Sequence, residues 1–170
     1  MDIFLIQTAN IQNIEEDLLA KFQKKEIFDK KKYLIHCFTY LMLDRILKEV
    51  YKIENSEIDF INKKPILKNQ QKYFSISHSC EYIALAFSDT NCGIDIEKFK
   101  NRDFEKIAHR LRFDIKTPED FFQNWTLYEA EYKLSEKSKS SKTWQINNYM
   151  LSAVSPNSSE DYQIYFDTIS

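Results

Sequence analysis

The sequence predicts an α+β fold: two similar lobes related by a pseudo-two-fold, with an active-site cleft between them. Three observations predict it. The length, 170 residues, admits one domain or two small lobes. A long helical stretch over 29–51 leads to Tyr82-Ile83-Ala84-Leu85-Ala86-Phe87, a turn and a further strand. A second, over 118–135, leads to Tyr149-Met150-Leu151-Ser152-Ala153-Val154, again with a turn and a strand behind it. On this reading residues 1–100 form the N-terminal lobe and 101–170 a shorter C-terminal one.

The elements follow in order. Ile3–Gln7 reads as a short strand, and Asn13 as the cap of a helix over 14–26 with Ile14, Leu18, Leu19 and Phe22 on one side. Asp29 caps the longer helix, whose apolar positions are Leu34, Phe38, Leu41, Leu43, Ile46 and Val50. Residues 55–72 are polar, contain Pro65, and read as loop or edge structure. Tyr73–Ile76, Tyr82–Phe87 and Cys92–Glu97 read as strands, with Ser88-Asp89-Thr90-Asn91 as a hairpin turn between the last two. A charged helix over 103–112 precedes Thr117-Pro118-Glu119-Asp120, a helix start with a capping Thr, Pro in the first turn and acids on the positive end. Phe121, Trp125, Tyr128 and Tyr132 give that helix an apolar stripe expected to pack inward. Ser135–Lys142 reads as a solvated loop, and Tyr149–Val154 and Tyr162–Phe166 as closing strands.

Hydrophobic residues at 43% and charged residues at 29% are ordinary for a globular chain and argue against disorder. Lys+Arg 24 against Asp+Glu 26 leaves a net charge of -2, which speaks against a generally basic nucleic-acid binder. No apolar run approaches the ~20 residues of a bilayer span. Met1–Gln7 has no basic segment ahead of its short apolar stretch, so a secretory leader is not expected. Cys37, Cys80 and Cys92 include no CxxC pair, which points to a reducing, cytoplasmic setting rather than a disulfide framework or zinc site. There is a single glycine, Gly93, where average usage of ~7% gives about 12, so Gly93 marks a place with a backbone requirement.

Gly93 opens Gly93-Ile94-Asp95-Ile96-Glu97. Period-two geometry puts Ile94 and Ile96 on one face and Asp95 and Glu97 on the other. Two carboxylates ~7 Å apart repel by about 0.6 kcal/mol in water but by about 2.4 kcal/mol at an effective dielectric of 20. Such a pair is a wet strand face if exposed; in a cleft it needs a cation, and magnesium takes oxygen ligands of this kind. Glu129 and Lys133 lie four apart on the 118–135 helix. They read either as a surface pair or as a third carboxylate with a lysine one turn on to meet a phosphate. In Ser75-Ile76-Ser77-His78-Ser79, taken to follow a strand, a histidine between hydroxyls suits an anion such as phosphate.

The ordered set Lys64-Pro65, Phe74-Ser75-Ile76-Ser77-His78-Ser79, Gly93-Ile94-Asp95-Ile96-Glu97 and Trp125-Thr126-Leu127-Tyr128-Glu129-Ala130-Glu131-Tyr132-Lys133 closely resembles the 4′-phosphopantetheinyl transferase superfamily, in its larger, monomeric, pseudo-duplicated type. The resemblance is clearest over about 60–135. It implies transfer of phosphopantetheine from coenzyme A to a serine of an apo acyl or peptidyl carrier protein, with release of adenosine 3′,5′-bisphosphate. It further implies that Asp95, Glu97 and Glu129 hold magnesium on the pyrophosphate, and that Glu129 or a metal-bound water deprotonates the serine. Lys133 would neutralise the pyrophosphate. His78, with Ser77 beside it and His36 on the 29–51 helix, would serve the 3′-phosphate, while Lys64-Pro65 would lie along the adenine.

The sequence departs from the family pattern at Tyr128, where a lysine is common, and at Lys63, where glycine is common. Cys80 replaces a glycine after the Ser-His-Ser run, and Ser138-Lys139-Ser140-Ser141 replaces a glycine-rich stretch. Two other classes fit the same residues: a non-catalytic relative that binds carrier protein or coenzyme A, and a magnesium-dependent phosphohydrolase.

Overall fold

A computed structural model describes residues 1–13, 29–54, 56–62, 64–69, 71–100 and 104–166. The helix expected over 14–26 lies outside them. The fold is mixed α+β. Among the described residues the strands are β1 (Asp2–Gln7), β2 (Ile58–Ile61), β3 (Lys64–Leu67), β4 (Tyr73–Ser79), β5 (Tyr82–Ser88), β6 (Gly93–Lys98), β7 (Ser140–Ile146), β8 (Tyr149–Ser155) and β9 (Gln163–Phe166). The helices are α1 (Lys30–Glu49), α2 (Glu105–Leu111) and α3 (Pro118–Leu134), and a 3-10 turn follows β1 at Thr8–Asn13. No helix among the described residues is long and apolar enough to cross a membrane.

The two long helices begin where local chemistry says they must. The Asp29 carboxylate accepts from the Lys31 and Lys32 amides. Thr117 and Asp120 form a reciprocal capping box ahead of α3, with Pro118 in the first turn. Caps of this kind contribute about 0.5–2 kcal/mol each.

The strands form a four-stranded sheet ordered β4-β5-β1-β9, a three-stranded sheet ordered β6-β8-β7, and the small β2-β3 hairpin. Alternation along the strands stacks these sheets. Phe4, Ile6, Phe74, Ile83, Leu85 and Phe87 meet the buried side of α1, through Phe38, Met42, Ile46 and Leu47. Ile3, Leu5, Ala84 and Ala86, on the opposite face, meet Ile94, Ile96, Leu151 and Ala153 of the smaller sheet. The outer face of that sheet carries α3, through Ala130 and Leu134 on Val154 and Phe121 and Phe122 near Met150. At about 1.5–3 kcal/mol for each fully buried large side chain, these layers dominate the stability.

Several expectations are corrected by this topology. Ser88–Asn91 is not a hairpin turn: β5 pairs with β1 and β4, so both its edges are occupied, and β6 pairs with β8 instead. The link crosses from one sheet to the other. The tight hairpin is Cys80-Glu81, joining β4 to β5, with Cys80 at φ 51 in the left-handed region that favours glycine. The Ser75–Ser79 run lies within β4 rather than after a strand. The Ser/Lys-rich segment becomes strand β7 from Ser140, a polar edge paired only to β8. β6 shares a sheet with β7 and β8, and β9 returns to lie parallel to β1.

The packed face of α3 is the largest correction. Phe121 is fully buried, but Tyr128 is 41% and Tyr132 75% exposed, and the buried line is Phe122, Thr126, Ala130 and Leu134. The reason is the close approach of α3 to β6. A Cβ built on Gly93 would lie 2.0 Å from the Ala130 carbonyl oxygen, so only small residues fit where helix and strand touch. The polar Thr126 is accommodated by a hydroxyl chain: it donates to the Phe122 carbonyl at 2.9 Å and lies 2.8 Å from Ser152, itself 2.8 Å from Thr143. The aromatics bury among themselves instead, with Trp125 stacked between Phe121 and Tyr128.

Candidate active site

The site is built where the two sheets and α3 meet. Among the described residues the outer edge of β6 is not paired to another strand; its Ile94, Ile96 and Lys98 amides donate to the hydroxyls of Ser75, Ser77 and Ser79 on β4, at 3.2, 3.2 and 3.1 Å. Side-chain hydroxyls thus replace a backbone ladder and join one sheet to the other. Two of the three serines in turn donate hydrogen bonds to the acids of β6: Ser77 to Asp95 Oδ1 at 2.7 Å, Ser79 to Glu97 Oε2 at 2.9 Å.

From the helix side, Lys133 donates to the same Asp95 Oδ1 at 2.8 Å and to the Ile94 carbonyl at 3.0 Å. Asp95 is only 6% exposed, and its Oδ2 is buried with no hydrogen-bond partner among the described residues. Glu129, one turn before Lys133, has its carboxyl held above the ordinary value, first by burial and then by the charges of Asp95 and, less, Glu97, with Lys133 opposing. These cross-influences bring Asp95, Glu97, Glu129 and Lys133 into one electrostatic neighbourhood.

His78 belongs to it as well. It keeps an exposed edge on β4, yet burial of the rest of the ring, followed by repulsion from Lys133, holds its pKa below the usual imidazole value. Glu97 and Asp95 pull the other way. His36 packs on Tyr40 one turn along α1, ring centroids 4.7 Å apart.

Lys64 starts β3 and points its ammonium at Asn91 Oδ1, 2.7 Å away, and at the Cys92 carbonyl, 3.1 Å away; burial lowers its pKa. Asn91 in turn donates to the Leu134 carbonyl at 2.8 Å, tying the last turn of α3 to the loop before β6. Lys64, Asn91 and Leu134, with Lys72, Tyr73, Ile61 and Glu136, line a cleft of about 350 Å³. Ser77 was expected to face the cosubstrate; its hydroxyl is engaged by Asp95 and the Ile96 amide. Sequence reasoning missed Ser75, Ser79 and Asn91, although the period-two serines of β4 were there to be read.

The donor chemistry suits a hard divalent cation. Asp95 and Glu97 share one face of β6, Asp95 keeps a buried oxygen without a partner among the described residues, and burial followed by the charge of Asp95 raises the Glu129 carboxyl. Among the described residues no three acidic, imidazole or thiol groups form a ready-made cage. Magnesium does not need one, since it is commonly held by one or two carboxylates, with water and substrate phosphate completing the shell.

Acids on a strand are answered by an acid and a lysine on the helix packed over it, an arrangement able to receive a cation and an anionic ligand. No protein-family model matches this chain. It is similar to the 4′-phosphopantetheinyl transferase psf-1 of Bacillus pumilus, 29% identical over 190 residues that cover 96% of this chain and 77% of that protein. That similarity runs over nearly the whole chain and supports the 4′-phosphopantetheinyl transferase class.

Proposed function

We propose that this chain moves 4′-phosphopantetheine from coenzyme A to a serine hydroxyl of an apo acyl or peptidyl carrier protein, as a magnesium-dependent monomer of the cytoplasm. The observation that carries the reading is the meeting of Asp95, Glu97, Glu129 and Lys133 across β6 and α3. In the reaction the serine oxygen forms a bond to the phosphorus that bears pantetheine. The bond from that phosphorus to the bridging oxygen breaks, and adenosine 3′,5′-bisphosphate leaves with the electron pair.

Asp95, Glu97 and Glu129 are the residues to hold magnesium, which when bound neutralises pyrophosphate charge and polarises the phosphoryl oxygens. Lys133 supplies a second positive charge beside them, and Glu129 or a metal-bound water accepts the serine proton. His78 serves the 3′-phosphate, and Lys64, followed by Pro65 in β3, lines the cleft that would take the adenine. His36 is assigned to the same phosphate end. Displacement at phosphorus needs alignment and charge neutralisation more than covalent help, and these groups supply both.

The test is the intact mass of candidate apo carriers incubated with coenzyme A and magnesium. A gain of one phosphopantetheine, dependent on both, is expected. Release of phosphate or cleavage of coenzyme A without a carrier would make the protein a hydrolase, and saturable binding without turnover would make it a binding protein.

A further inference from the structure

The three serines of β4 make equivalent bonds to the β6 backbone, but only two of them touch a carboxylate. Ser77 donates to Asp95 and Ser79 to Glu97, while Ser75 receives the Ile94 amide and, among the described residues, makes no bond to an acid. We infer that Ser77 and Ser79 are positioning residues that set the orientation of the two β6 carboxylates toward a divalent cation, and that Ser75 serves only to join the sheets. The inference rests on the carboxylates serving such an ion, as proposed above.

The geometry carries it as follows. A carboxylate on a strand can rotate about its Cα–Cβ and Cβ–Cγ bonds, and each orientation presents different lone pairs. At Asp95, Ser77 and Lys133 both donate to Oδ1, at 2.7 and 2.8 Å, from β4 and α3 respectively. Two donors from separate elements fix the plane of the group. They leave Oδ2 buried and without a partner, which is costly in a resting protein and useful if that oxygen is a ligand. At Glu97 the Ser79 hydroxyl restrains a longer side chain. Each serine hydroxyl has one proton, and accepting from the β6 amide orients its lone pairs so that the proton goes to the acid. Groups that orient a metal ligand in this manner commonly affect affinity by 10- to 100-fold.

The serine spacing separates this role from a structural one. Ser75→Ala and Ser77→Ala each remove one hydroxyl from the same strand and one acceptor from the same β6 edge, so the cost of loosening the sheet junction is common to both, and Ser77→Ala loses the bond to Asp95 in addition. Binding of manganese(II), used as a probe for magnesium, is measured by calorimetry on the whole protein without coenzyme A or carrier.

Ser77→Ala should weaken manganese about 10-fold or more, and Ser79→Ala by a smaller factor. Ser75→Ala should stay within about twofold of the parent, and Ser77→Thr, which restores the hydroxyl, should recover most of the loss. Equal weakening by Ser75→Ala and Ser77→Ala, or parental binding by Ser77→Ala, would overturn the inference. So would a parent protein that binds no manganese. Binding that follows this pattern in a protein that modifies no carrier would leave the positioning role standing and remove the transferase reading instead.

Discussion

Replacing Gly93 by alanine is the sharpest test of how the site is assembled. The glycine does not have a positive φ, so its role is not conformational freedom. Its role is contact. The added Cβ would lie 2.0 Å from the Ala130 oxygen, 2.9 Å from its carbon and 3.0 Å from the Leu134 nitrogen, on top of the helical Ala130–Leu134 hydrogen bond. Reaching the 3.4 Å of ordinary contact means moving α3 off β6 by about 1.4 Å, in a packed interior where a single methylene is felt. Overpacking costs typically about 1–3 kcal/mol, and here the obstacles are backbone atoms that cannot rotate away, so the upper end or beyond is expected.

The displaced turn carries Glu129 and Lys133, and misplacement by about 1 Å can cost about 100-fold in rate. Urea denaturation should show a loss near 3 kcal/mol, and single-turnover carrier modification should fall about 100-fold in the protein that remains folded. Ala130→Gly should not rescue either property, because the collision is with the main chain. A Gly93→Ala protein with parental midpoint and rate, or full rescue by Ala130→Gly, would refute this account of the interface.

Asp95→Asn keeps the shape and the Ser77 contact but removes the charge. Transfer should fall below detection while the melting point stays within about 1 kcal/mol of the parent; unchanged transfer at saturating magnesium removes Asp95 from the site. Glu129→Gln should lower turnover by orders of magnitude and, in the ligand-free protein, raise the melting point at neutral pH. The fold lifts this carboxyl above its ordinary 4.5, so its ionised form opposes folding, and the advantage of Gln should vanish in melts taken progressively below pH 4.5. His78→Ala should weaken coenzyme A more than its 3′-dephospho analogue. Because the His78 pKa is lowered below 6.5, binding of the 3′-phosphate near pH 7 must draw in a proton. Affinity should therefore fall as pH rises from about 6 to 8 for coenzyme A but not for the dephospho form, with matching proton uptake by calorimetry in two buffers.

How much of this was legible in the sequence depended on how local the signal was. Asp29, Thr117 and Pro118 act on their own helix starts, so α1 and α3 were readable to within a residue or two. Alternation likewise placed Asp95 and Glu97 on the face opposite Ile94 and Ile96. Pairing was not local. Nothing in Ser88–Asn91 tells that both edges of β5 are taken by β1 and β4. Nor does the aromatic spacing of α3 reveal that Tyr128 and Tyr132 face outward, because that is decided by a strand some forty positions earlier in the chain.

The two small-residue patterns, one glycine in β6 and serines at every second position of β4, explain why the site's groups converge at all. Gly93 sets the distance of α3 from β6, and since Ala130 is the residue it touches, Glu129 and Lys133 are brought beside Asp95 by helical geometry alone. The β4 serines set the other boundary. Their hydroxyls reach the β6 amides at 3.1–3.2 Å, a junction that a larger apolar side chain would block and that alanine would leave unbonded. Each such bond is worth only about 0.5–1.5 kcal/mol net. Together they clamp β6 between a sheet on one side and a helix on the other. A strand carrying two carboxylates and an unpaired edge is poorly suited to burial by itself. It holds its place because one neighbour supplies protons to its acids, another supplies a cationic ammonium, and both approach closely through residues with almost no side chain.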